Sequence, residues 1–251
     1  MQAQNLQLDG AIDAIRLRFG SHALTRAAEL PPAQPWPSHT PIDAMTGIGG
    51  LPRGRLSLLT GSGTCGKLSL ALALLAHATH EFAHATVIDG GGFDPWNLLP
   101  FSPELSALTV VRAPAPEIAG EAAAALARAG AGFILLMSEL PEHWLGPLES
   151  GANRSGTVVV GVVDAPGRAL AHASSFSLAL SRTEWVWERG QLIGIRVMAR
   201  CLKNRVAPPL GETALEIRYP LGARPLSDHL VHVIEARVDV QEVAPCASAV
   251  V

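Results

Sequence analysis

The sequence has few cysteines, little net charge and no long apolar run. Its three cysteines, Cys65, Cys201 and Cys246, are widely spaced and odd in number, which disfavours a disulfide framework or a cysteine-based zinc site. A formal net charge of -3 provides no overall positive field, so strong independent binding to DNA is not expected. The longest apolar run, LSLALALLAHA, is too short to span a bilayer. The first ten residues lack the pattern of a secretory signal, and we expect a cytoplasmic protein.

The chain contains enough apolar residues for one large core. Its 251 residues, 48% of them hydrophobic, fit a single α/β domain with a short appendage. In AIDAIRLRFG, Ile12, Ile15 and Phe19 form the apolar face of a short amphipathic helix. Five prolines between Pro31 and Pro41 then predict a stiff connector. The predicted organisation is an N-terminal helical segment (1–29), a Pro-rich linker (30–41), a core (42–243) and a flexible tail (244–251).

Strand-like and helix-like segments alternate from Arg55 onwards. GFILLM and TVVVGVV are continuous apolar runs, typical of strands that are buried on both faces. This alternation predicts an α/β fold with a mostly parallel central sheet flanked by helices. After Ser174, apolar and polar residues alternate within SFSLALSRTEWVWE and again within QLIGIRVMARCLK. These segments lie on either side of Arg189-Gly190, which predicts an antiparallel hairpin extension near the C-terminal end.

The stretch GSGTCGKLSL nearly matches a phosphate-binding loop. Gly61, Gly63, Gly66 and Lys67 stand at the positions such a loop requires, between a predicted strand and a predicted helix. In a working loop the next residue is Ser or Thr, whose hydroxyl coordinates magnesium, but here it is Leu68. Ser69 is one residue further along, and its side chain is rotated by about 100° around the helix axis from that position. The loop is therefore predicted to be a degenerate nucleotide site; the alternative is a simple strand-to-helix turn.

The acidic residues of a magnesium-dependent ATPase are also not found. The buried strand GFILLM ends at Met137, and Asp89 is followed by three glycines where a catalytic acid would be expected. Asp94 is better explained as the cap of a turn before Pro95. We therefore expect that hydrolysis is lost, that no cofactor is required, and that ATP binds at most weakly without a good magnesium site.

Two aromatic residues alternate within TEWVWE. Trp185 and Trp187 are two residues apart and so face the same side of a strand. Core packing is the favoured interpretation, and the alternative is an exposed patch for a partner or for single-stranded DNA.

Three histidines are spaced along one predicted helix. His77, His80 and His84 lie roughly at i, i+3 and i+7, with Glu81 as the one carboxylate among them. We favour a solvated helix face, and no metal site is expected.

Several segments together resemble the RecA recombinase family. They are AIDAIRLRFGSHALTR, IDAMTGIGGLPRGRLSLLTG, VIDGGGFDP, FILLMSEL and CLKNRVAPPLGETALEIRYPLG. The resemblance implies a RecA-like core in which the position of the catalytic glutamate falls on Gly91 or nearby, and Met137 replaces the aspartate of the second acidic motif. It also implies that Lys203 and Arg205 contact the ATP of a neighbouring subunit, in trans, within a filament.

One departure from that family concerns the connection between two strands. Where the family carries a phosphate-sensing glutamine and a mobile DNA-binding loop, only a few residues, around Asp164 to Arg168, are expected here. A short RecA-like chain with a degenerate ATP site resembles the ImuA family of RecA-related accessory proteins. That resemblance implies two partners, ImuB and RecA, with an alternative replicative-type polymerase as a further member of the assembly. The implied role is in translesion synthesis during the SOS response.

Three hypotheses follow for the function. The first is a non-catalytic adaptor, in which Ile12, Ile15 and Phe19 dock on RecA, although these residues can equally pack on their own chain. The second is a RecA-like ATP-dependent DNA-binding ATPase, and the third is a regulator of RecA filaments that binds DNA. The missing acids favour the adaptor over the ATPase, and the charge balance favours it over a DNA-binding regulator. DNA contact is expected to be weak or indirect, and no membrane contact is expected.

Overall fold

The computed structural model describes residues 34–208, 211–219 and 231–237, and the residue pairs 13–14 and 17–18. The chain divides into two compact units, 1–33 and 34–251. In the first unit the described pairs are helical. The predicted partner-binding residues Ile12, Ile15 and Phe19 lie outside the described residues, as does the predicted tail. The predicted domain boundaries stay a prediction.

The second unit is built on a mixed sheet. A short antiparallel ladder, β1 (Pro35–Trp36) with β2 (Leu51–Pro52), precedes it. The described strands of the main sheet are β3 (Leu56–Thr60), β4 (Ala85–Asp89), β5 (Leu108–Arg112), β6 (Phe133–Met137), β7 (Val158–Val163), β8 (Phe176–Glu188), β9 (Gln191–Asn204), β10 (Glu212–Arg218) and β11 (Val231–Arg237). Their order is β11-β10-β9-β8-β3-β7-β6-β4-β5. The pairs from β8 to β5 are parallel and those from β8 to β11 antiparallel, which confirms the predicted fold class.

Successive residues of the central strands enter two different cores. Leu59 of β3 and Val87 of β4 belong to one buried cluster, whereas their neighbours Leu58 and Ile88 belong to the other. Because side chains alternate across a strand, burial on both faces requires an unbroken apolar run. This is the physical reason that runs such as GFILLM predicted strands correctly.

Helices cover both faces of the sheet. The described α-helices are α1 (Ile42–Thr46), α2 (Lys67–Glu81), α3 (Pro116–Ala129), α4 (Glu142–Ser155) and α5 (Arg168–Ala173), with 3-10 turns at Pro95–Asn97, Leu99–Phe101 and Leu105–Ala107. Leu70 and Leu74 of α2 pack in the same cluster as Leu59, while Ala119 of α3 and Leu148 of α4 pack on the opposite face. No described helix is long and apolar enough to cross a membrane.

The alanine-rich helix α3 packs closely against α4. Ala123 and Ala127 are fully buried, and a Cβ placed on Gly120 would collide with the side chain of Trp144. Small side chains on α3 therefore permit the close approach of α4, which carries Pro147 within its length. The segment that forms α4 was not assigned a structure from sequence.

The predicted hairpin is present, but its tryptophans are not in the core. Arg189 and Gly190, with φ of 49° and 78°, form the two-residue turn between β8 and β9. Trp185 is 38% exposed and Trp187 is 62% exposed, so the prediction of core packing was wrong. The reason is that β8 pairs with β3 only as far as Ala179, and beyond that residue its one sheet neighbour is β9. Beyond Ala179, β8 is therefore an edge strand, whereas β9 stays paired with β10 as far as Gly194.

Candidate nucleotide site

The glycine loop lies between the end of β3 and the start of α2, as predicted. Gly61, Gly63 and Gly66 have positive φ values of 144°, 58° and 84°, a region that side chains larger than glycine rarely adopt. A Cβ on Gly61 would also collide with the backbone oxygen of Leu180. Within the loop the N–H of Cys65 donates to the carbonyl of Gly63 at 3.0 Å. The glycines are thus required by the backbone path of the loop.

The side chain of Lys67 is paired with a carboxylate of its own chain. Its Nζ lies 2.8 Å from Oδ1 of Asp164 and 3.4 Å from the carbonyl oxygen of Gly63. Asp164 directly follows β7, the parallel neighbour of β3, and its carbonyl accepts a hydrogen bond from the N–H of Gly61 at 3.2 Å. Since the side chain of Asp164 is 74% exposed, the ion pair contributes at most about 1 kcal/mol to stability. A phosphate entering the loop would have to compete with this carboxylate for Lys67.

Leu68 occupies the position of the magnesium-binding hydroxyl and packs on the core. Its side chain is partly buried against the cluster that contains Leu70 and Leu74. A hydrocarbon side chain in that position offers no oxygen to a metal ion. Ser69 is the next residue of α2, turned by about 100° around the helix axis.

A buried carboxylate organises the turn where the family would place its catalytic glutamate. Oδ1 of Asp89 accepts hydrogen bonds from the N–H groups of Gly91, Gly92 and Phe93 at 2.9, 2.8 and 3.0 Å, and Oδ2 pairs with Arg112. Burial alone would raise the pKa of Asp89, but these hydrogen bonds lower it below its ordinary value. Gly91, with φ of 118°, has no side chain to act on a substrate.

The other two candidate acidic positions carry a methionine and a capping aspartate. Met137 ends β6, and its side chain is partly buried against the core. Oδ1 of Asp94 accepts a hydrogen bond from the N–H of Trp96 at 3.0 Å, which confirms its predicted role as a cap. Met137 thus offers no carboxylate, and the exposed carboxylate of Asp94 caps the turn before Pro95.

Lys203 and Arg205 lie near one end of the sheet's strands, and the glycine loop lies at the other end. Lys203 of β9 is paired in register with Ser177 near the start of β8, and Ser177 lies beside Leu58 of β3. The glycine loop follows the other end of β3. Within one chain, therefore, these two basic residues and the loop are not brought together. Contact in trans with another subunit stays a prediction.

Lys203 is instead engaged with the end of a helix. Its Nζ donates to the carbonyl oxygens of Ala171 and His172, at 2.7 and 2.8 Å, at the C-terminal end of α5. Burial, and then the nearby charge of Arg205, lowers the pKa of Lys203. The side chain of Arg205 is exposed.

The connection between β7 and β8 differs from the one expected. It spans residues 164–175 and contains the helix α5, so the expectation of only a few connecting residues was wrong. The sequence ALAHA forms most of this helix, with Leu170 and Ala173 buried, and does not begin the following strand.

Two residues of the site were missed from the sequence. One is Asp164, which pairs with Lys67. The other is Arg182 of β8, whose guanidinium donates to the carbonyl of Thr64 at 3.4 Å and stacks over the ring of Trp185 at 3.9 Å. Only the strand order, which places β7 and β8 on either side of β3, brings both residues to the loop.

The predicted row of histidines is broken in the structure. His77 and His80 lie on α2, but His84 follows the end of that helix. Nε2 of His80 lies 2.7 Å from the carbonyl oxygen of Ser102. His77 turns towards His39, with ring centroids 4.7 Å apart.

A glycine loop that joins a strand to a helix at the edge of a parallel sheet defines a phosphate-loop α/β protein. The family model for the RecA N-terminal domain matches residues 6–140, more than half of the sequence, and the chain belongs to the RecA family. It is 29% identical to the protein RecA of Thermus thermophilus over 280 aligned positions, covering 94% of this chain and 82% of that protein. It is 29% identical to the protein RecA of Thermus aquaticus (91% and 80% covered) and 25% identical to that of Chlorobium limicola (86% and 74%).

Proposed function

We propose that this protein is a non-catalytic RecA-like adaptor, of the ImuA type, in SOS-induced mutagenesis and translesion DNA synthesis. In this role it links ImuB and RecA and supports the alternative replicative-type polymerase that works with them. Its RecA-like core serves as a binding module and does not hydrolyse ATP.

One observation carries the proposal, namely the state of the phosphate loop. Lys67 is paired with Asp164 at 2.8 Å, and Leu68 packs into the core in place of a hydroxyl. Magnesium normally neutralises the charge that develops on the transferred phosphoryl group, and it is held there by the missing hydroxyl and by an acidic residue. With Gly91 and Met137 at the two acidic positions, a magnesium-dependent reaction has neither its metal ligands nor its base.

Calorimetric titration tests this proposal directly. The protein is titrated with ATP and with a non-hydrolysable analogue, with and without magnesium, and ATPase activity is then assayed with single-stranded DNA. We expect no magnesium-dependent heat and no turnover. An active RecA serves as the positive control, and Lys67→Ala shows whether any magnesium-independent heat arises at the loop. Turnover by this protein that is lost in Lys67→Ala would overturn the proposal and support the ATPase hypothesis.

Docking on RecA is proposed to use the predicted N-terminal helix. Subunits that assemble head to tail have two complementary surfaces, so a RecA-related chain can bind RecA through the surface that another RecA subunit would use. Phe19→Ala should abolish capture by immobilised RecA and leave Tm nearly unchanged, with the charged-face variant Asp13→Asn as the matched control. A large fall in Tm would instead mean that Phe19 packs on its own chain.

The exposed tryptophans favour a second candidate, a regulator that contacts single-stranded DNA. Trp187 is 62% exposed, and the neighbouring Trp185 is stacked beneath Arg182. Exposed aromatic rings with a nearby guanidinium can stack on bases of any sequence. Titration with an oligothymidine should quench tryptophan fluorescence if this candidate holds, and Trp187→Ala should weaken the interaction. Unchanged fluorescence at low salt would exclude it.

A further inference from the structure

A cluster of two histidines and one carboxylate lies at the C-terminal end of α2, away from the glycine loop at its N-terminal end. His77 and Glu81 are four residues apart on the helix and so face the same side. His39 comes from the segment that precedes α1. One ligand atom from each residue lies within 4.8 Å of the other two, so these side chains converge on one small volume.

We propose that His39, His77 and Glu81 form a binding site for a divalent transition-metal ion of the Zn²⁺ class. Two imidazoles and one carboxylate are the donor types that such ions prefer, and three protein ligands leave a fourth position for water. The site joins the segment before α1 to the last turn of α2. The proposal is independent of the nucleotide site and of the adaptor function.

The strongest support is the state of His77. Its Nε2 is buried and has no hydrogen-bond partner among the described residues, although a buried polar atom normally has one. The nearest carboxylate oxygen, Oε1 of Glu81, lies 4.0 Å away, too far for a hydrogen bond. Burial, and then the proximity of His39, lowers the pKa of His77.

His39 is held in place by its backbone. It has φ of 53°, an uncommon conformation for a residue other than glycine, and its N–H donates to Oδ2 of Asp43 at 2.8 Å. The same carboxylate accepts hydrogen bonds from the N–H and hydroxyl of the buried Ser38. These contacts fix the backbone of His39, and its imidazole lies edge-on to that of His77.

The distances fit an ion after small side-chain movements. Zinc bonds of about 2.0–2.2 Å in tetrahedral geometry place ligand atoms roughly 3.4 Å apart. The present separations, up to 4.8 Å, therefore need to shorten by at most about 1.4 Å. His39 and Glu81 are exposed, so rotation of their side chains supplies this movement without repacking the core.

The test is titration of chelator-treated full-length protein with Zn²⁺, followed by calorimetry and thermal unfolding. We expect one equivalent to bind. At a free concentration a hundredfold above Kd, the folding equilibrium should shift about a hundredfold towards the folded state. His39→Ala and Glu81→Gln, both at exposed positions, should each weaken binding at least about tenfold, a change expected when a metal loses one of its few ligands. His84→Ala, an exposed histidine close to the same helix end, should bind as the wild type does.

Titration with Co²⁺ identifies the ligands. Binding at the proposed site should produce visible d–d absorption without the near-ultraviolet charge-transfer band of a thiolate ligand, because the site contains no cysteine. Either of two binding results would overturn the proposal, as would a thiolate band. One is the absence of saturable binding by the wild type, and the other is equal binding by the wild type, His39→Ala and Glu81→Gln. A thiolate band would show that the ion binds to a cysteine and therefore at a different site.

Discussion

Asp89→Ala should destabilise the protein by about 2–5 kcal/mol, because one carboxylate organises the whole turn after β4. Loss of the carboxylate leaves the buried N–H of Phe93 without a partner, which costs about 1–3 kcal/mol. The N–H groups of Gly91 and Gly92 are in exposed residues, so water replaces the carboxylate there at about 0.5 kcal/mol each. The side chain of Arg112 is 60% exposed, and losing that ion pair adds at most about 1 kcal/mol.

Urea unfolding followed by circular dichroism measures this loss, and a thermal scan should show Tm lower by roughly 4–20 °C for a unit of this size. The folded-state pKa of Asp89 is below its ordinary value. Its stabilisation is therefore fully present above the unfolded-state pKa of about 3.9, and it is lost as pH falls through the lower folded-state pKa. The difference between wild type and variant should stay constant from about pH 7 to pH 5 and shrink below about pH 4.

Asp94→Ala provides the matched control for this prediction. Asp94 is an exposed aspartate of the same segment and accepts one hydrogen bond, from the N–H of Trp96. Its loss should cost about 1 kcal/mol or less. If Asp89→Ala costs no more than this control, or if its effect does not diminish below pH 4, Asp89 does not organise the turn as an ionised carboxylate.

Two further predictions concern packing, and a third concerns a hydrogen bond at a helix end. Trp187 is 62% exposed, so Trp187→Ala should change the free energy of unfolding by less than about 0.5 kcal/mol. Trp36 is fully buried, and Trp36→Ala should cost about 3–5 kcal/mol. Equal losses for the two variants in urea titrations would contradict this contrast. Gly120→Ala should cost about 1–3 kcal/mol by overpacking against Trp144, and an unchanged Tm would show that α4 shifts freely. Lys203→Met should lower the free energy of unfolding in urea titrations by about 1 kcal/mol, because it removes the hydrogen-bond donor at the end of α5. An unchanged free energy would show that solvent replaces this donor.

Much of the fold was predictable because its signals are local. The run GFILLM could be assigned to a doubly buried strand from its own composition, and Arg189-Gly190 marked the hairpin turn through its backbone preferences. The spacing from Gly61 to Lys67 likewise located the glycine loop between β3 and α2. Each of these features depends on residues that are close together in the chain.

The burial of the tryptophans was not predictable in this way. Alternation within TEWVWE placed Trp185 and Trp187 on one face of a strand, but it carries no information on what covers that face. The answer depends on where β3 stops pairing with β8, at Ala179. Where a strand is longer than its neighbour, apolar residues beyond the end of that neighbour can be exposed to solvent.

The residues alone established the α/β class, the glycine loop and the loss of the hydroxyl at Leu68, because periodicity and turn chemistry are written in consecutive positions. Only the tertiary structure paired Lys67 with Asp164 and brought His39 to His77. Both contacts join segments far apart in the chain. They depend on strand order and on the path of the segment before α1, and neither leaves a periodic signal in the sequence.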